Sequence, residues 1–242
     1  MRTGALALVL ALAAASPAHA WTGKVRVQMV DEAVRLMPAS LRLALEHHRD
    51  PLLRGALEPM LKEDGPAHRP SWGGGTLERE IPARAADLRA AVEAGRRFEE
   101  IARAFGALAH AVQDAGFPPG AAESDPGTRY AHFAAFVESR RPKFPLVFEG
   151  HDDPDLERGD VAGWTARVLA RSREADRTLA RAYAAAGTPP HPSAFDDRSI
   201  PFAVASLASS RTVTAIARAW LAAWRETGGD VGRTPYLEGT PR

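Results

Sequence analysis

The stretch FEEIARAFGALAHAVQDAGFPPG, residues 98–120, decides how the rest of the chain is read. Phe98, Ile101, Phe105, Ala109 and Val112 recur at helical spacing and make one apolar stripe. Phe117-Pro118-Pro119-Gly120 then stops the helix, because proline has no N–H to donate and its ring clashes with the preceding turn. Followed backward to Leu88, the pattern predicts one helix over residues 88–116. His110 and Asp114 point away from the stripe, on a face that also carries Gly106 and Ala107, small enough for another segment to approach closely.

The same period extends outward. Val25, Val27, Val30 and Val34 open a helix that Pro38 interrupts. Leu41, Leu43, Leu45, Leu52, Leu53, Leu57 and Leu61 continue in helical segments around Pro51 and Pro59. Residues 66–75 (PAHRPSWGGG) read as a loop, with its glycines as a flexible turn. A shorter helix is predicted over 130–138, and a Pro-, Asp- and Gly-rich connector over 142–160. Val161, Trp164, Val168, Ala175, Leu179 and Tyr183 mark a long helix that Gly187 closes. Val213, Ile216, Trp220 and Trp224 mark the last, over about 202–227. No segment alternates with period two for long enough to demand a sheet, and no internal repeat is visible. The prediction is one all-α domain of six or seven helices.

Composition narrows the function. Lys and Arg total 31 and Asp and Glu 30, so a net charge of +1 gives no electrostatic case for gripping a nucleic-acid backbone. Local arginines can still hold a single phosphate. The chain has no cysteine, which excludes disulfides, thiolate metal sites and a cysteine nucleophile. Arg2, the apolar run 4–15, Ser16-Pro17 and Ala18-His19-Ala20 have the order of a secretory signal peptide. The domain reading is therefore a signal peptide at 1–20, one domain at 21–228 and a carboxy-terminal tail at 229–242. Cleavage after Ala20 predicts an exported chain, periplasmic or extracellular, that starts at Trp21. No later segment reads as long and apolar enough to span a bilayer.

There is no phosphate-binding G-x-x-x-x-G-K-[ST], no G-x-S-x-G nucleophile elbow and no H-E-x-x-H zinc helix. The sharpest local pattern is His110-x-x-x-Asp114, which puts imidazole and carboxylate on one helix face, where both can grip one cation. His151-Asp152-Asp153-Pro154-Asp155 lacks calcium-loop spacing and reads as a turn and helix start. The arginines between 167 and 181 read as a solvated face.

Residues 106–120 resemble the H-x-x-x-D-x-x-x-P helix end of the zinc-dependent phospholipase C and single-strand-specific nuclease superfamily. Trp21 at the predicted cleavage point is similar to that family's amino-terminal tryptophan. The resemblance implies an all-α metal-dependent phosphoric ester hydrolase with zinc as cofactor, acting on a small-molecule or lipid phosphodiester. It implies Trp21 and His110 as ligands, and Asp114 as both a metal-bridging and a catalytic carboxylate. His68 is the natural counterpart of an intervening family histidine; its acidic companion is Glu58, Glu63 or Asp64, of which Asp64 is carried forward. His132 matches the histidine of a following H-x-x-x-E/D element.

The departures are specific. Gly120 stands where the family has a histidine, and Phe136 where it has the acid partner of His132. The first helix offers no histidine. The resemblance therefore implies fewer than three zinc ions. It leaves either a hydrolase of reduced activity or a catalytically degenerate metal-binding or interaction protein on the same scaffold.

Overall fold

Leu88 lies in one helix and His110 in the next, so the single helix expected over 88–116 is two. The computed structural model describes residues 20–61, 65–124, 126–187 and 194–237. Residues 1–19 of the expected signal peptide at 1–20, together with Glu63, Asp64 and His191, lie outside these residues. Helices α1 (Gly23–Arg35), α2 (Ala39–His47), α3 (Arg49–Leu57) and α4 (Leu77–Glu93) precede the central α5 (Phe98–Gly116). Then come α6 (Thr128–Arg140), the one-turn α7 (Pro154–Glu157), α8 (Val161–Ala186) and α9 (Ile200–Glu226). There are thus nine helices among the described residues rather than six or seven, with short 3-10 turns and no strand.

The break between α4 and α5 has a local cause. Gly95 takes φ +58°, a left-handed value that closes α4 cheaply only for glycine. Glu99 and Glu100 then open α5, where acidic side chains favour the positive end of the helix dipole.

Helix α5 packs against α1, α3, α4, α8 and α9. From Leu108 to Gly116 every side of it is buried. Its His110–Asp114 face is therefore interior, not a solvated surface. The approach expected at Gly106 occurs: a Cβ on Gly106 would stand 2.0 Å from the Leu52 carbonyl oxygen, and one on Gly55 would stand 2.0 Å from that of Arg103. Two facing glycines let α3 and α5 cross at backbone contact.

Helix α9 corrects another expectation. It is long and apolar enough, by length and composition, to cross a membrane. Its apolar side chains instead fill the core: Val213, Ile216, Ala217 and Trp220 are fully buried. Leu43 and Leu61, read as part of the apolar pattern, are exposed. Residues beyond α9 fold back onto the body, where the Asp230 carbonyl accepts from Trp224 Nε1 and the Pro235 carbonyl lies 2.9 Å from His151 Nε2.

Candidate metal centre

His110 and Asp114 are four residues apart on α5 and project to the same side. His68 reaches them from the loop between α3 and α4. Residues 65–76 of that loop are tightly bonded. Thr76 N donates to the Pro66 carbonyl at 2.7 Å, and Leu77 N to that of Arg69 at 2.9 Å. A Cβ on Gly75 would stand 1.9 Å from the Arg69 carbonyl oxygen, so only glycine fits this closure. The glycines that read as a flexible turn thus fasten the 3-10 turn Pro66–His68 against α5.

The three donor atoms converge. His68 Nδ1 lies 2.7 Å from Asp114 Oδ2 and 3.2 Å from His110 Nε2, and His110 Nε2 lies 3.1 Å from Asp114 Oδ2. Ligands about 2.0–2.1 Å from a tetrahedral zinc stand about 3.3 Å from one another. The triangle is one face of such a tetrahedron, slightly contracted. His68 is partly exposed while His110 and Asp114 are buried, so the triangle meets solvent at its His68 corner.

The tautomer of His110 suits a ligand. Its Nδ1 is 2.8 Å from the Ala56 carbonyl, which can only accept, so Nδ1 carries a proton and Nε2 is left facing Asp114, where it donates as imidazolium and would present its lone pair to a metal as neutral imidazole. Arg26 Nη1 is also 3.4 Å from Nδ1, but a protonated nitrogen cannot accept from it, and that contact is not a hydrogen bond. The Gly55–Gly106 crossing puts the Ala56 carbonyl at this distance.

Sequence reasoning missed Arg26. It is 1% exposed, and its guanidinium is surrounded by acceptors. Nε donates to the Trp21 carbonyl at 3.1 Å, Nη1 to Gln113 Oε1 at 3.1 Å, and Nη2 to Asp114 Oδ1. Gln113 Nε2 returns a bond to the Arg26 carbonyl at 3.0 Å, and Trp21 Nε1 donates to the Gln113 carbonyl at 2.8 Å. Asp114 is thus divided, with one oxygen on a permanent cation and the other in the donor triangle. Desolvation pushes its carboxyl up, but Arg26 first, then His110 and His68, hold it well below the usual carboxylate range. Nothing in the local sequence marks Arg26, which stands out only once α1 and α5 are packed.

The other candidates are placed apart from the triangle. The Trp21 carbonyl is taken by Arg26. Glu58 pairs with Arg103. His132 Nδ1 lies 2.7 Å from the Tyr183 hydroxyl, with Phe195 against its ring, and burial lowers its pKa. Phe136 fills the same aromatic cluster. A side chain at Gly120 would begin 3.6 Å from the Asp114 carbonyl, so that position borders the centre but supplies no donor. Asp153 caps α7 through Asp155 N at 3.1 Å, as the turn reading of that segment expects.

An all-α chain with a partly buried His-His-Asp donor set is what fold and site define together. Comparison with protein-family models, curated proteins and solved structures finds no match to this chain.

Proposed function

We propose that this chain is an exported phosphoric ester hydrolase of the zinc phospholipase C and nuclease type, contracted to one divalent ion held by His68, His110 and Asp114. The single observation that carries this reading is the donor triangle, whose spacing and tautomer suit zinc. When bound, zinc lowers the pKa of water at its open position and polarises an ester oxygen. The protein's own part is to hold the donors. Ala56 orients His110, Arg26 balances the second Asp114 oxygen, and the loop closure fixes His68 at the solvent side. A small phosphodiester, including a lipid one, is the substrate class. Processing after Ala20 and export belong to the same proposal.

Arg26 favours contraction to a single ion. A guanidinium already occupies the space between Asp114 and the Trp21 carbonyl, where the family resemblance implies further metal. This also motivates the second reading, a metal-binding protein without turnover.

The test is metal analysis of the processed protein, followed by hydrolysis of a chromogenic phosphodiester. About one zinc per chain is expected, with turnover abolished by chelator and by Asp114→Asn. Stoichiometric zinc without turnover establishes the second reading. Absence of zinc, unchanged by His110→Ala, overturns both.

A further inference from the structure

A separate cavity of about 330 Å³ lies between α8, α9 and the connector before α7. Its volume is within the range of small-ligand sites. It touches α5 at Gly116, whose missing side chain lets Thr212 of α9 close in. Gly116 is two residues from Asp114, about 200° around the helix. The cavity therefore opens on the opposite face of α5 from the donor triangle.

The floor is apolar, built by Trp164 and Val168 of α8 and Val204 and Ala208 of α9. The rim is cationic: Arg167, Arg171, Arg211 and Arg218 all line it. Its carboxylates are shared or turned aside. Glu149 serves Arg171 at 3.6 Å and Arg211 at 3.3 Å, Asp153 serves Arg167 at 2.6 Å and Arg218 at 3.6 Å, and Glu174 is held by Arg177 at 3.0 Å. Each guanidinium offers five N–H donors, so the rim keeps donors in excess of acceptors.

The connector that brings Glu149 here is strapped to one face of α9. Ser210 Oγ donates to the Pro145 carbonyl at 3.1 Å, Glu149 N to Thr214 Oγ1 at 3.3 Å, and Arg218 Nε to the Gly150 carbonyl at 2.8 Å. Leu207, which lines the cavity, leaves a large apolar side chain exposed, as do Leu146 and Val147 of the connector. An apolar floor, an apolar lip and a cationic rim match one ligand shape.

We propose that this cavity binds a single-tailed anionic amphiphile of the long-chain carboxylate kind, with its tail on the α8–α9 floor and its head group against Arg171 and Arg211. The site is independent of the metal centre.

The test is calorimetric titration of the whole protein with dodecanoate below its aggregation concentration, with and without EDTA. Saturable one-to-one binding, unchanged by EDTA, is expected. Dodecyltrimethylammonium has the same tail with the opposite charge, and acetate is an anion without a tail; both are expected to bind about tenfold more weakly or not at all. Ala208→Trp fills the floor and Arg211→Glu reverses the rim, and each is expected to weaken dodecanoate by about tenfold or more. The second substitution is at the surface and guards against misfolding of the first. Equal binding of the cationic amphiphile, EDTA-sensitive binding, or undiminished binding by Arg211→Glu overturns the proposal, as does absence of saturable binding. None of these outcomes bears on zinc content, so this site and the metal centre fail separately.

Discussion

Two corners of this molecule hold histidine and aspartate on packed helices, and they differ in where the side chains point. At the end of α5, His68, His110 and Asp114 aim three donor atoms at one place. Between α6 and α8, His132 pairs with Tyr183, and Asp176 with Arg129. The second corner pairs its polar groups two by two, although Arg129 Nε and Asp176 Oδ1 are buried without a hydrogen-bond partner. In the first, Asp114 Oδ2, His110 Nε2 and His68 Nδ1 stand within 3.2 Å of one another, and a single cation at their centre would serve all three. Convergence, more than composition, separates a candidate ligand set from a paired core.

The sharpest way to break this contrast is to remove Arg26. Arg26→Met leaves the buried Asp114 carboxylate without its guanidinium and is expected to destabilise the fold by about 3–5 kcal/mol in urea unfolding. If zinc sits at the triangle, added zinc should recover part of that loss, because ligand binding to the folded state raises its stability. Next comes ligand deletion. His110→Ala should lower zinc affinity by more than about a hundredfold, read by competition with a chromogenic chelator.

A third substitution acts through the helix crossing. Gly106→Ala drives a methyl group into the Leu52 carbonyl, and α3 must shift. A cost of about 1–3 kcal/mol is expected, together with weaker zinc binding as the Ala56 carbonyl leaves His110. The second corner should answer to pH instead. Burial, only partly offset by Arg129, raises Asp176 to about 6. The folded state then keeps a proton that the unfolded chain releases near pH 4, so Asp176 makes stability fall as pH rises from about 4 to about 6. Asp176→Asn should flatten that decline by about 2 kcal/mol or less, seen in urea midpoints across the window. The smallest effect is expected from His132→Phe. It removes one hydrogen bond, costs about 1 kcal/mol, and leaves zinc content unchanged; a loss of zinc there would erase the distinction between the corners.

Much of this was legible along the chain. The apolar period marks α1, α6, α8 and α9 nearly to their ends: α1, α6 and α8 each bury one stripe, α9 is buried on most sides, and local chemistry closes them. His110 and Asp114 were legible because i,i+4 spacing is a property of the helix alone. The break at Gly95 is missed by the reading of one helix over 88–116, although a glycine followed by Glu99 and Glu100 carries its signal. The arginines at 167 and 171 read as a solvated face, yet they rim a cavity, because the period of α8 says nothing of what the connector and α9 place beside it.

The sequence by itself determined an all-α domain, the helix that carries His110 and Asp114, and nitrogen and oxygen as the donors open to a metal, since cysteine is absent. Only the tertiary structure decided that His68 meets them while His132 does not. It alone brought Arg26 from α1 to the second oxygen of Asp114. The physical reason is reach. Helical period fixes neighbours within about one turn, whereas these partners lie 42, 46 and 88 residues apart and meet only once α1 and the loop before α4 pack against α5.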